Sequence, residues 1–266
     1  MRLGTLEPLL SDTPEALYWM GFLLADGYFT ESRLKVRLAI KDEQHLQKLG
    51  IFLGGVPVNK YISKSLYGEF EAVSLLLMHA SIMRKIRTKW GIVNDKTHNP
   101  PNLNWLTPNQ LIYVLIGFID GDGHIQKQLH RLDSVITIKN DVSWLDTLQF
   151  MVSSLHDQFN FTSPNADINA KGFAKISICK AEVLRLLKLK SKEIPALERK
   201  WSIIDDTYIS KNEQARSRKA MFVQLHQQGK SSAEIAALLN MSQSNVCTTI
   251  KRLGLVGVNL MRNKES

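Results

Sequence analysis

The chain has 266 residues, 44% of them hydrophobic and 22% charged, which is the composition of a folded protein and excludes disordered and collagen-like classes. Its 34 Lys and Arg residues exceed its 25 Asp and Glu residues, and the net charge of +9 indicates a polyanionic partner. Two cysteines are too few for a disulfide framework. No apolar run reaches the ~18 residues that a membrane-spanning helix needs, so we expect no membrane partner.

A nine-residue pattern occurs twice in the sequence. Residues 19–27 read WMGFLLADG, and residues 115–123 read LIGFIDGDG. A Thr-Pro pair precedes each copy, at 13–14 and 107–108, where threonine can cap a helix and proline suits its first position. The pattern therefore predicts two helices, each ended by a glycine in the left-handed conformation, Gly27 and Gly123.

The segments after the two predicted helices follow the same order in both halves. Arg33, Lys35 and Arg37 alternate with apolar residues, which predicts a strand with one basic face, suited to phosphates. Residues 133–139 are its less basic counterpart. Each strand precedes a helix, two more strands and a basic helix, so we expect an α+β fold of two related halves, 1–104 and 105–202. The later strands are predicted near 58–65, 70–78, 163–169 and 173–178, and the basic helices at 82–90 and 181–190.

Each repeated helix ends in an acid, Asp26 or Asp122, where the negative end of the helix dipole disfavours a carboxylate by ~0.3 to 1 kcal/mol. Small residues four apart in both helices would let the two helices pack closely. If their C-terminal ends lie together, the two acids converge and require a cation, and oxygen ligands favour Mg²⁺. This arrangement predicts a site for metal-assisted phosphodiester hydrolysis. Asp120 points to another helix face, so we expect it to have a structural or supporting role.

The two nonamers resemble the LAGLIDADG motifs of homing endonucleases in the single-chain form with two motifs. The resemblance covers roughly residues 10–202. It implies an αββαββα fold in each half, with two four-stranded sheets that form a saddle over the DNA major groove. It also implies divalent-metal cleavage of both DNA strands across the minor groove. The catalytic residues that it implies are the acids Asp26 and Asp122 and the lysines Lys41, Lys139, Lys96 and Lys190.

The same resemblance implies the cofactor and the partner. We expect Mg²⁺, with Mn²⁺ as a substitute and Ca²⁺ as an occupant without turnover, and a monomer that binds double-stranded DNA. The expected location is the cytoplasm, in association with the nucleoid, or an organellar matrix. Candidate metal ligands are Ala25, Asp26, Gly27, Gly121, Asp122 and Gly123. Candidate DNA-binding residues on the saddle are Arg33, Lys35, Arg37, Lys127, Thr137 and Lys175.

Beyond residue 202 the sequence predicts a polar linker, 203–214, and a three-helix module, 215–258. The first helix is predicted at 221–228, and Ser231 with Glu234 forms a capping box for the second. The third helix, 243–252, shows polar and basic side chains opposite Val246. The segment resembles helix-turn-helix domains of the resolvase type, and a protein-contact module is the alternative. Its candidate DNA-binding residues are Ser244, Asn245, Thr248, Thr249, Lys251 and Arg252.

Three functions fit the sequence. The first is an intron-encoded homing endonuclease that cuts both DNA strands at a long asymmetric site. The second is a non-cleaving transcriptional regulator with a LAGLIDADG-like fold, which would be expected to lack the metal-binding acids that are present here. The third is a maturase that binds intron RNA and assists splicing, which the basic composition allows.

Overall fold

A computed structural model describes residues 4–65, 68–126, 135–155, 166–179, 187–188, 193–202 and 211–255. The chain divides into two compact units, Met1–Tyr208 and Ile209–Ser266. Unit 1 has mixed helices and antiparallel sheets, which confirms the predicted α+β class. Within the described residues, no helix is both long and apolar enough to cross a membrane.

The first half of unit 1 follows the predicted order of helices and strands. Its sheet has the strand order β1-β2-β4-β3, and every neighbouring pair is antiparallel. The elements are α1 (Pro14–Asp26), β1 (Gly27–Phe29), β2 (Arg33–Ala39), α2 (Glu43–Phe52), β3 (Asn59–Ser65), β4 (Gly68–Met78) and α3 (Ala80–Trp90).

The second half repeats this topology, with the strand order β5-β6-β8-β7. Most of the basic helix predicted at 181–190 lies outside the described residues, as do residues 163–165 of a predicted strand. The described elements are α4 (Pro108–Asp122), β5 (Gly123–Gln126), β6 (Val135–Asn140), α5 (Leu145–Ser153), β7 (Asp167–Ile168), β8 (Ala174–Cys179) and α6 (Glu198–Trp201).

Helices α1 and α4 start where the sequence predicts. The Thr13 hydroxyl accepts a hydrogen bond from the Ala16 backbone N–H, and Thr107 forms a full capping box with Gln110. Proline occupies the first turn of each helix. Both caps are therefore confirmed.

The predicted helix ends at Gly27 and Gly123 are wrong in one respect. Both glycines have extended backbones, with φ of −78° and −75°, because the chain passes directly into β1 and β5. Glycine is needed there for space. A Cβ atom at either position would lie 2.5 Å from a carbonyl oxygen of the preceding helix turn.

Helices α1 and α4 pack against each other through glycines in the core of unit 1. A Cβ atom on Gly21 would lie 2.0 Å from the Val114 carbonyl oxygen, and one on Gly117 would lie 2.0 Å from the Tyr18 carbonyl oxygen. No side chain larger than hydrogen fits at this separation. The two helix backbones are therefore in direct contact, as the small-residue spacing predicts.

In residues 211–255, the described part of unit 2, three helices surround a small core. They are α7 (Lys211–Gln227), α8 (Ser232–Leu238) and α9 (Gln243–Arg252), and Phe222, Ile235 and Val246 are buried between them. The Ser231–Glu234 capping box is present. Helix α7 begins before the predicted residue 221, because 211–220 favour a helix without showing apolar periodicity. Residues 211–214 of the predicted linker are therefore helical.

Candidate active site

The C-terminal ends of α1 and α4 lie side by side in unit 1. The Cβ position of Gly121 is 2.3 Å from Ala25 Cβ and 3.4 Å from Asp26 Oδ2. The Asp26 carboxylate therefore adjoins the last turn of α4, which carries Asp122. The Asn140 side-chain amide donates a 2.8 Å hydrogen bond to Asp122 Oδ2 and orients that carboxylate.

The two acids repel each other. Burial, and then repulsion from Asp26, raises the pKa of Asp122 to about 6. Burial also raises the pKa of Asp26, although the nearby Lys200 and Lys96 oppose that rise. Two partly buried carboxylates of the same charge form a set of hard oxygen donors, which fits a divalent cation such as Mg²⁺. No group of three or more His, Cys, Asp or Glu side chains in the described ranges could hold a metal ion, so water or phosphate oxygens would complete the ligand set.

A lysine contacts the end of each motif helix. Lys96 Nζ donates to the carbonyl oxygens of Leu24 (2.6 Å) and Ala25 (3.0 Å) at the end of α1. Lys200 Nζ donates to four carbonyl oxygens at the end of α4, at 2.5 to 3.0 Å. Burial lowers the pKa of both lysines, while Asp26 and Asp122 raise it. Each ammonium offsets the negative end of a helix dipole beside the acids.

Lys200 is not among the lysines predicted from the sequence. The predicted second-half lysines are Lys139 on β6 and Lys190, and Lys190 lies outside the described residues. The signal in the sequence is the spacing of Leu197, Lys200 and Trp201, which places all three on one helix face. All three are buried, so this lysine lies on an apolar face.

The carbonyl groups among the candidate metal ligands lie beside these lysines. The carbonyl oxygens of Ala25, Gly121 and Gly123 each accept a hydrogen bond from a lysine ammonium. A carbonyl oxygen has two lone pairs, so this bond leaves it able to accept a second partner.

The buried Asp120 links the elements that form the site. Burial raises its pKa to about 6. Its carboxylate accepts hydrogen bonds from the Tyr18 hydroxyl (2.6 Å), the Trp201 indole (2.6 Å) and the Leu197 backbone N–H (2.7 Å). Asp120 therefore joins α1 and α4 to α6, which carries Lys200.

An ion pair between the exposed Arg199 and the buried Asp42 fixes α6 to the first half. The Arg199 guanidinium binds both oxygens of Asp42, with Nη2 at 2.7 Å from Oδ2 and Nε in contact with Oδ1. Asp42 is 8% exposed and lies in the 3₁₀ turn after β2. The predicted Lys41 is its neighbour and is exposed. This ion pair places Lys41 close to the base of α6.

The basic row on β2 shares a cavity with one of the acids. Asp26, Tyr28, Arg33, Lys35 and Arg37 line a cavity of about 420 Å³ on the face of the first sheet away from the core. The candidate acid and the cation row are therefore accessible from the same side of the molecule.

The second sheet is less basic. Lys175 lies half-buried on β8, opposite Lys139 in the register, and Thr137 lies opposite Ser177. Lys127 lies outside the described residues.

The candidate DNA-binding residues of unit 2 lie on α9. Its polar and basic residues are exposed or half-buried, whereas Val246 on the opposite face is buried. The Ser242 hydroxyl caps the helix by accepting from the Asn245 backbone N–H. The exposed residues are Ser244, Asn245, Thr248, Lys251 and Arg252, and Thr249 is half-buried.

No protein-family profile matches the chain, and no curated protein matches it in sequence. Among solved structures, the fold is similar to that of the homing endonuclease I-WcaI bound to its DNA recognition sequence. The TM-score is 0.52 at 15% sequence identity, and the match covers 72% of this chain and 86% of that one. The chain has the LAGLIDADG fold. Its two motif helices are α1 and α4.

Two further solved structures, the LAGLIDADG homing endonuclease I-GzeII and I-DmoI, match with TM-scores below 0.5. I-GzeII in complex with its DNA target has a TM-score of 0.43 and 11% identity, over 90% of this chain and 97% of that one. I-DmoI in complex with DNA and Ca has a TM-score of 0.46 and 14% identity, over 70% of this chain and 95% of that one.

Proposed function

We propose that this protein is a site-specific endonuclease that cleaves both strands of a long, asymmetric double-stranded DNA site. The observation that carries the proposal is the convergence of Asp26 and Asp122 at adjoining helix ends beside a basic, solvent-facing sheet. The two halves lie in one chain and differ in sequence, so the monomer would contact two different half-sites. In this proposal the gene lies in an intron.

Asp26 and Asp122 would hold the divalent cation, Mg²⁺ or Mn²⁺, and neighbouring helix-end carbonyls are further candidate ligands. A cation held there would activate water and stabilise the leaving oxygen of the scissile phosphodiester. Asn140 orients the Asp122 carboxylate for this role. Lys96 and Lys200 hold the two helix ends in position and supply positive charge beside the acids.

The sheets would bind the DNA. Arg33, Lys35 and Arg37 supply three positive charges to phosphate or guanine contacts on one half-site. Lys175 and the β6 residues supply the weaker positive charge of the other half. We further propose that unit 2 is a helix-turn-helix domain whose α9 extends the contacted site.

A cleavage selection tests this proposal. A plasmid library with randomised inserts is incubated with the full chain and Mg²⁺, and linear products are sequenced. We expect cleavage at one family of long sites. Asp26→Asn and Asp122→Asn should each abolish cleavage and retain binding, whereas Asp146→Asn, a matched change of an exposed acid on α5, should leave both unchanged.

Saturating, sequence-specific binding without cleavage in Mg²⁺ or Mn²⁺ would contradict the proposal and favour the regulator. The role of unit 2 is tested separately by Lys251→Gln with Arg252→Gln. This double variant should lower the slope of log affinity against log salt by about 2 if both cations contact phosphates. An unchanged slope would favour a protein-contact module.

A further inference from the structure

Strand β4, one of the two inner strands of the first sheet, carries an apolar row, Leu76 and Met78, on its open face. In the register of β2 with β4, Lys35 lies opposite Leu76 and Arg33 lies opposite Met78. Residues opposite each other in an antiparallel pair point to the same face. Leu76 and Met78 are 44% and 67% exposed, whereas Leu75 and Leu77, which alternate with them, are buried.

Among the described residues, packing of the core of unit 1 does not account for this exposure. The core needs only the residues on the other face of β4, and an exposed apolar strip of large side chains usually marks a contact surface. The cations of β2 flank this strip on one side. On the other side, the pairing of β3 with β4 stops at Asn59 and Ser74, so no described residue of β3 lies opposite Leu76 or Met78.

The second sheet does not repeat this row. Gly27 pairs with Val36 in the first half, and Gly123 pairs with Ile138 in the second, which aligns the two sheets. In this alignment Ser177 takes the position of Leu76 and Cys179 takes the position of Met78. An apolar pair therefore lies on one sheet, and small residues take the same register positions on the other.

We infer that Leu76 and Met78 contact the C5-methyl groups of thymines in the half-site under the first sheet, and so favour thymine there. This inference rests on the proposed function, since it needs DNA on the open faces. The major groove offers apolar surface only at thymine methyl groups, because the other base edges present hydrogen-bond donors and acceptors. Contact with such methyl groups would give the exposed apolar row beside the β2 cations a partner.

A structural explanation competes with this inference. The two apolar side chains could simply cover the aliphatic stems of the cations opposite them on β2. Under that explanation, Leu76→Ala would weaken binding to every sequence alike. Removal of a methyl group from the DNA would then have no effect.

The experiment removes only the methyl group. A binding site is first selected from random duplexes with the full chain in Ca²⁺. Each thymine is then replaced in turn by deoxyuridine, and the Kd is measured for the wild type, Leu76→Ala, Met78→Ala and the matched second-sheet control Ser177→Ala. All three changed residues are at least partly exposed, so the variants are expected to fold.

We expect one or more thymines at which deoxyuridine weakens wild-type binding about fourfold, the value for one buried methyl or methylene group. That loss should disappear in Leu76→Ala or Met78→Ala and persist in Ser177→Ala. This double-mutant cycle also locates the half-site without a complex structure.

The failures are distinguishable. The inference is overturned, and the proposed function stands, if a specific site is selected that lacks thymine in both half-sites. The same holds if every deoxyuridine duplex has a Kd within 1.5-fold of that of the parent duplex, which is about the error of such a measurement. If the effect of deoxyuridine persists unchanged in both apolar variants, the inference is also overturned. If no specific site is selected at all, both the proposed function and the inference fall.

Discussion

Replacement of Gly117 by alanine should separate the two motif helices. The added Cβ would lie 2.0 Å from the Tyr18 carbonyl oxygen and 2.8 Å from the Phe22 backbone nitrogen. Both neighbours are backbone atoms of α1, so no side chain can rotate away. The helices would have to separate by more than 1 Å, roughly 1.5 Å, to restore ordinary van der Waals contact.

The net cost follows from two opposing effects. Alanine favours a helix over glycine by about 1 kcal/mol. Overpacking of a core costs about 1 to 3 kcal/mol, and a backbone clash belongs at the upper end. We therefore expect a net loss of about 2 kcal/mol, or roughly 4 to 8 °C in the Tm of unit 1. A shift of about 1 Å between Asp26 and Asp122 should also reduce cleavage about 100-fold.

Thermal unfolding and cleavage rates measure both effects, with Gly91→Ala as the control. Gly91 has a φ of 64°, and nothing lies within 4 Å of its Cβ position, so alanine there adds about 1 kcal/mol of backbone strain alone. This control should cleave at the wild-type rate. A Gly117→Ala protein that melts within 1 °C of the wild type and cleaves normally would refute the close-contact argument, since about 1 °C is below the shift from even 0.5 kcal/mol.

Three further predictions concern charge. Without a divalent cation, the free energy of unfolding should fall as the pH rises from about 4 to about 6. In the folded state the pKa values of Asp120 and Asp122 are raised to about 6, so it keeps protons that the unfolded state releases. Melting curves at several pH values test this, and Mg²⁺ should restore stability above pH 6. Lys200→Met should lower the free energy of unfolding by about 2 kcal/mol, because buried carbonyl groups lose their donor. It should lower the cleavage rate at least 100-fold, the loss typical of removing one donor that stabilises a transition state, while DNA binding persists. Unchanged cleavage would show that Lys200 is not needed for the reaction. Arg199→Met should destabilise the protein by about 1 to 2 kcal/mol, less than a fully buried pair would lose, because Arg199 is exposed while Asp42 is buried. Asp42→Asn added to it should restore part of that loss in denaturant unfolding, and a purely additive result would contradict the coupling.

The sequence predicts the fold well where the determinants are local. Thr-Pro pairs mark the starts of α1 and α4, and alternation of charged and apolar residues marks β2, because caps and strand faces depend on neighbours a few residues apart. The convergence of the two acids was also predictable, since it follows from small residues that two parallel helices share. The predicted start of α7, residue 221, is ten residues late, because the sequence of its first part has no apolar periodicity.

The supporting residues of the site were not predictable in the same way. Lys200 binds carbonyl oxygens about 80 residues earlier in the chain, and Arg199 binds an acid 157 residues earlier. Every residue has a backbone carbonyl group, so the sequence does not show which carbonyl groups will bind a lysine. Such contacts depend on where a short terminal helix docks, which local propensity does not determine.

The docking of α6 shows why the repeated nonamers alone do not make the site. Asp120 is buried, and two of its three hydrogen-bond donors, the Leu197 backbone N–H and the Trp201 indole, belong to the segment 197–201. A carboxylate left without them would cost several kcal/mol to keep charged in the core. The same segment brings Lys200 to the end of α4. Asp120, two residues before Asp122, therefore recruits the lysine that neutralises the end of α4. Under the proposed function, the second motif would form its half of the site only when residues 197–201 are docked on it.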